Sequence, residues 1–488
     1  LLINALYGLS KLKRLAGETA LYGLGSIVPR MINFLLVPLH TISMFSEAEY
    51  GEITKLYAYV AVVNIVYMFG METAYFRFAT KPGTDPKRIF NLAQTSVIAI
   101  SGVLTVFLLL GAVPISVGLE ASNPKFITWL VITMFIDALV AIPFAQLRLQ
   151  KKAFQFAIAK IINVVIVLGL NYYFLKLNYD PAIGVGYVFL ATLIANALFI
   201  VFFIKTLIAW RPQWDKTISP QMLRYAYPVM ITGIAGMINE MFSRSMLDWW
   251  LPENFYPGVT QKEAGGIFGA CYKFAVFMNL GIQAFRYAAE PFFFSNAQDK
   301  NSPKLFAQVN HFFVIACCIV WLGISINLDI LKYIIGENFW LGLPIVPVLL
   351  LAYLFLGIYY NISVWFKLTD KTHYGTIITL MGVAITVLGN YFLIPVAGFM
   401  GSAIAALACY AAMAAICFGL GQKHYPIPYW VTRDVGYIIF TAALIRLLSP
   451  VQFQSQWAAT GFHTIIIAAF VALVYWVEKK NLAQSPHS

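Results

Sequence analysis

Residues 15–79 read LAGETALYGLGSIVPRMINFLLVPLHTISMFSEAEYGEITKLYAYVAVVNIVYMFGMETAYFRFA. Two apolar runs flank a polar turn at 46–49, and the first run carries a cation, Arg30, near its middle. Ser46 and Glu49 stand three apart at the start of the second run. In that pattern the serine accepts from the third backbone N–H while the glutamate reaches back to the serine N–H, so the pair predicts a helix start. Lys55 follows about two turns in. The same signal returns at an offset of 214 as Thr260-x-x-Glu263, ahead of a small-residue run that holds Lys273. Two helical hairpins, each opened by a cap and carrying a cation, organise the chain.

Outward from this stretch the pattern is one of repeated apolar runs. The 488 residues are 60% hydrophobic and 11% charged, against roughly a quarter charged in soluble domains. Runs of about 20 apolar residues match the thickness of a hydrocarbon core. They fall near 18–41, 50–75, 88–112, 124–147, 153–175, 182–206, 220–247, 264–288, 304–327, 341–366, 374–394, 398–421, 433–449 and 456–478. The expected fold is therefore an all-α polytopic membrane protein with about fourteen transmembrane helices.

The net charge of +12 invites a nucleic-acid reading, but its distribution excludes one. With the amino terminus inside, 23 of the 33 lysines and arginines lie on the cytoplasmic side and 5 on the outer side. That asymmetry is the positive-inside rule, and it places both termini in the cytoplasm. The start lacks the short apolar core and small-residue site of a cleavable leader. Cys271, Cys317, Cys318, Cys409 and Cys417 sit in apolar runs without metal-ligand spacing. No phosphate loop, metal cluster, cofactor motif or hydrolase nucleophile is present in the sequence. An enzyme is not expected, nor a metal or cofactor.

The 214 spacing recurs elsewhere. Pro181 and Gly184 open the sixth run, and Pro395 and Gly398 open the twelfth at the same offset. This predicts two six-helix lobes, 15–210 and 219–422, with 433–478 as two additional helices. An even number of spans per lobe makes the repeats parallel, with substrate between them near mid-membrane.

The stretch Ser46–Glu52 after an apolar first run resembles the amino-terminal pattern of the polysaccharide transporter family, the Wzx-type flippases. These belong to the multidrug/oligosaccharidyl-lipid/polysaccharide exporter superfamily. The stretch Leu393–Ala405, LIPVAGFMGSAIA, is similar to the superfamily's opening of the twelfth span. The six-plus-six-plus-two plan also resembles lipid II flippases of the MurJ type. The resemblance implies alternating access that carries a polyprenyl-diphosphate-linked oligosaccharide from the inner to the outer leaflet of a bacterial cytoplasmic membrane. It further implies a lipid-linked glycan substrate, membrane lipid, and a glycan polymerase or other assembly proteins as partners. Basic residues on spans one, two and eight would face the cavity, and Arg30, Lys55 and Lys273 match by span. The last two helices would form a groove for the lipid tail. A drug or cation antiporter of the same fold, and a membrane glycosyltransferase or ligase using the same lipid, are the alternatives. The antiporter calls for cavity acids, and the transferase for a larger outer loop than 248–263.

Five cations remain inside runs: Arg30, Lys55, Lys160, Arg244 and Lys273. A buried cation costs at least about 2.5–3.5 kcal/mol on insertion scales, so each needs a partner or a wet cavity. Arg30 has Ser26, Ile27, Asn33 and Phe34 at i±3 and i±4, none of them acidic. It is read as an anion contact, with a salt bridge to Glu72 or Glu240 as the other reading. Lys55 and Lys273 are anion contacts or snorkel to the headgroups. Glu240, Arg244 and Asp248 form an i, i+4, i+8 stripe that neutralises the arginine locally or holds a coupling ion. Arg286 and Glu290 form a structural pair or a gate. Asp137 and Lys160, on consecutive spans, are expected to pair with each other.

Overall fold

The computed structural model describes residues 34–81, 83–296, 302–369, 371–449, 451 and 455–483. Its main helices are α1 (Glu47–Met68), α2 (Pro86–Leu110), α3 (Pro124–Leu149), α4 (Ala153–Tyr172), α5 (Gly186–Phe202) and α6 (Ile218–Met241). After them come α7 (Gln261–Asn296), α8 (Ser302–Ile326), α9 (Val346–Ile362), α10 (His373–His424), α11 (Val431–Leu448) and α12 (Gln456–Ala483). Short helices Met71–Ala79 and Ser243–Trp250 continue α1 and α6. Among the described residues, nine helical stretches are long and apolar enough to cross a membrane. The chain is an all-α, multi-pass membrane protein. Most of the first expected span, 18–41, lies outside the described residues.

By packing, the chain divides into two compact units. One holds the chain through Gly269 together with Thr379–Val387, and the other Ala270–Ile378 with Leu388 onward. Helix α6 belongs to the first because it packs on α1 and on the short helix Met71–Ala79. This packing boundary falls at a different place from the sequence repeat, which concerns likeness between halves rather than contact.

Both capping boxes form. The Ser46 N–H donates to Glu49 at 2.8 Å, and the Glu49 N–H donates to Ser46 Oγ at 3.4 Å. In the second box the Thr260 N–H donates to Glu263 at 2.7 Å and the Glu263 N–H to Thr260 Oγ1 at 3.3 Å. The helix starts they fix, α1 and α7, cross with almost no separation. A Cβ on Gly51 would overlap the Lys262 carbonyl oxygen, and one on Gly266 would overlap that of Glu47. Backbones approach this closely only where side chains are absent. Gly266→Ala is expected to cost about 1–3 kcal/mol, the usual penalty of overpacking, and to lower the melting temperature of the purified protein. Gly236→Ala, with nothing within 4 Å of its added Cβ, should leave it unchanged or raised. Equal effects would remove the crossing from the account.

Two breaks position the helices. The second span, read from sequence as continuous, is interrupted at Phe69 (φ 50°) and Gly70 (φ 68°). Gly70 lies against α6, where a Cβ would come within 2.6 Å of the Ala226 carbonyl oxygen. Helix α10 contains 52 residues, about 78 Å at 1.5 Å per residue, too long for one crossing. It turns back at Gly398 (φ 53°, ψ −127°), so that Ser402 Oγ donates to Asn390 Oδ1 at 2.8 Å. Gly184, its counterpart in the sequence repeat, also has a positive φ, 50°.

The pairing expected of Asp137 and Lys160 takes a different form. Asn196 donates its amide to Asp137 at 2.9 Å, and Asn163 donates to Asn196 at 2.9 Å. The Lys160 ammonium lies over the Phe144 ring at 4.2 Å and the Phe199 ring at 5.0 Å. The lysine still feels the carboxylate electrostatically, but the close partners are an amide chain and aromatic faces. Glu72, the other reading's acid for Arg30, is ion-paired with Arg148. At the surface, the Ile218 and Thr217 amides, with Arg88, hold the Asp215 carboxyl below the usual range.

Candidate functional site

Two charged residues and a tyrosine of α1 fall on one helical face. Glu52, Lys55 and Tyr59 are spaced i, i+3, i+7, which places them one above another. The capping box fixes the start of this helix, and the glycine crossing fixes its seat against α7.

Glu52, only 3% exposed, accepts from the Ser122 N–H at 2.6 Å and from the Ser122 hydroxyl at 2.5 Å. The Lys262 ammonium lies 3.6 Å away. One turn further, Lys55 Nζ is 2.7 Å from Asp248 Oδ2, and both side chains are about one-tenth exposed. Tyr59 lies beside Ser245, which sits three positions before Asp248 on the short helix Ser243–Trp250. Two acid–base contacts thus tie α1 to the start of α7 and to the helix that follows α6.

Asp248, read from the sequence as part of a stripe with Glu240 and Arg244, is paired with Lys55. Helix α6 ends at Met241 and the next helix begins at Ser243, with Phe242 between them still at right-handed helical angles (φ −79°, ψ −16°). The Arg244 side chain and that of Glu290 lie outside the described ones, as does Arg30 altogether. Glu240 and Lys273 are partly buried and each engaged by a neighbouring group. In the second unit, the Arg286 guanidinium stacks over the Tyr360 ring at 4.9 Å. Glu52 is a charged residue that sequence reasoning passed over. Its signal was an acid one turn before Lys55 and well inside a capped apolar helix.

A cavity of about 400 Å³ opens beside this face, lined by apolar side chains including Leu56, Val60, Val63 and Met134, with Tyr59 at its edge. A second cavity of about 560 Å³ in the same unit is lined by apolar side chains, including Tyr75, Phe90 and Leu149, together with Lys87, Lys205, Asn91, Gln146 and Gln150. Neither lysine entered the sequence-based site.

While closed, the Lys55–Asp248 pair presents little net charge to its surroundings. Separated, it offers an ammonium to an anion or a carboxylate to a cation. Among the described residues no group of three His, Cys, Asp or Glu side chains is arranged to hold a metal ion. The five cysteines are buried thiols.

No protein-family model matches the chain, and no curated protein does. Solved structures share its fold. The lipid II flippase MurJ, in an inward closed conformation, superposes with a TM-score of 0.72 at 13% identity, over 95% of this chain and 100% of MurJ. An outward-facing multidrug resistance MATE family transporter of the MOP superfamily gives 0.59 at 14% identity, over 87% and 96%. The Vibrio cholerae MATE transporter VcmN gives 0.58 at 17% identity, over 84% and 96%.

Proposed function

We propose that this chain is a flippase for a polyprenyl-diphosphate-linked oligosaccharide. It moves that lipid from the inner to the outer leaflet of a bacterial cytoplasmic membrane by alternating access, for cell-surface polysaccharide synthesis. The observation that carries the reading is the extent of the likeness to MurJ. That likeness covers 95% of this chain, and the uncovered remainder is shorter than α11 (18 residues) and α12 (28 residues) taken together. The MurJ-like plan therefore takes in at least part of the carboxyl-terminal helix pair.

In this reading 15–210 and 219–422 are the two lobes, and 433–478 is the helix pair that guides the lipid tail. Both termini face the cytoplasm, and a glycan polymerase or other assembly proteins act on the same pathway. Arg30, Lys55 and Lys273 contact the diphosphate, replacing water on its oxygens. Lys55 reaches it by exchanging Asp248 for phosphate. Glu240, Arg244, Asp248, Arg286 and Glu290 serve as gate or coupling groups. The apolar cavity beside α1 suits a substrate with a hydrocarbon portion.

A cation antiporter is the second reading, favoured by the MATE-like fold and by the buried carboxylates of Glu52 and Asp248. Proteoliposomes decide between the two. The expected result is time-dependent flipping of a labelled polyprenyl-diphosphate oligosaccharide, with no uptake of a fluorescent drug cation under a proton or sodium gradient. Cation uptake without lipid flipping would replace the first reading by the second.

A further inference from the structure

A buried histidine in the second unit stands between two carboxylates that the transport reading does not use. His311 on α8 has no exposed surface, while Asp434 on α11 and Glu478 on α12 are 7% and 4% exposed. His311 Nδ1 lies 2.5 Å from Asp434 Oδ1, and the Asn310 amide donates to the other Asp434 oxygen at 3.2 Å. On the far side of the ring, Nε2 is 3.3 Å from Glu478 Oε2. The Tyr437 hydroxyl donates to Glu478 Oε1 at 2.7 Å.

The hydrogens available do not close this arrangement. An ionised carboxylate only accepts, and a neutral imidazole carries a single N–H. If that N–H is on Nδ1, it satisfies Asp434. Nε2 and Glu478 Oε2 then face each other as two acceptors, and both are buried without a hydrogen-bond partner. Burying unsatisfied polar atoms is costly. One added proton between them supplies the missing donor and lowers the cluster's net charge from two negatives to one.

Among the described residues, the surroundings offer no substitute for that proton. Arg433 stacks over Trp430 at 5.0 Å, and Trp430 in turn packs on His311 at 4.8 Å. Lys479 lies over Tyr475 at 5.8 Å. From α7, Phe285 packs on Phe313 of α8 at 4.7 Å while Arg286 is turned to Tyr360. Helix α9, which also packs on α8, contains no acid, lysine, arginine or histidine. Along α8, Cys318 lies beside Thr441 of α11. Asp434 is in the first turn of α11 and Glu478 is near the end of α12, so bulk protons have a short way to travel.

We propose that His311 Nε2 and Glu478 Oε2 form a proton-binding site, and that its occupancy fastens the carboxyl-terminal helix pair to α8. The ligand is a single proton taken from water, whatever the transported substrate is. Because occupancy takes a proton from water, the fastening is strongest at low pH and weakens as pH rises.

Glu478→Gln provides the test, because a glutamine amide can donate permanently to Nε2 while its oxygen still accepts from Tyr437. The full chain in lipid nanodiscs is melted at a series of pH values between about 5.5 and 8.5, the range over which histidine ordinarily changes charge. Wild type is expected to lose melting temperature as pH rises, and Glu478→Gln to lose less, tracking the low-pH wild type. Equal slopes would overturn the proposal. If Glu478→Gln does not fold, nitrogen-15 histidine spectra of wild type decide, with His311 assigned by its loss in His311→Asn. A Nε2 resonance that moves with pH supports the site, and one fixed over that range refutes it.

Discussion

Lys55→Met is expected to lose most of its folded protein, and Lys55→Met with Asp248→Leu to regain most of it. The two charges meet at 2.7 Å with side chains about one-tenth exposed. Removing one partner of a buried pair leaves the other uncompensated, typically at about 3–5 kcal/mol, whereas replacing both with apolar groups is often neutral or stabilising. Fluorescence-detected size exclusion of the two variants measures the difference. Flipping activity then separates structure from transport. The double variant should recover abundance but stay impaired in flipping, because Lys55 is also proposed to meet the diphosphate. Full recovery of both would make the lysine a purely structural member of α1.

Arg30→Ala should abolish flipping of the labelled oligosaccharide lipid while leaving the amount of folded protein near normal. The argument is from the sequence, since Arg30 lies outside the described residues. No acid stands at i±3 or i±4, and Glu72, one acid otherwise available, is taken by Arg148. A guanidinium grips two phosphate oxygens in a planar fork, which a lysine cannot reproduce. Arg30→Lys should therefore keep partial activity, and Lys55→Ala or Lys273→Ala should each do milder damage to transport in the protein that folds. Wild-type flipping by well-folded Arg30→Ala would remove this arginine from the mechanism. Misfolding of the variant would indicate a salt bridge instead.

What the sequence made legible was local. Ser46 with Glu49 and Thr260 with Glu263 each lie within one turn, so the chemistry that starts α1 and α7 is written in a single turn's length of chain. The reversal at Gly398 was equally readable, because proline and glycine leave the helix few other options there. The break at Gly70 was not, since its cause is the α6 backbone, far away in the chain. Lys55 and Asp248 are joined across 193 residues of chain, beyond the reach of any local pattern. The surroundings of His311 are out of reach of the sequence for the same reason. Its partners Asp434 and Glu478 stand on the last two helices of the chain, and periodicity is blind to pairings of that range.

The reversal at Gly398 also makes handedness itself a structural requirement. Its φ of 53° and ψ of −127° are the mirror image of angles that ordinary L-residues adopt freely. An L-alanine there is strained by its chirality before size is considered. A D-alanine placed by chemical ligation would find those angles comfortable, and it would remove some of the freedom that glycine brings to the unfolded chain. At this joint, then, the gene specifies glycine as the nearest thing translation offers to a mirror-image amino acid.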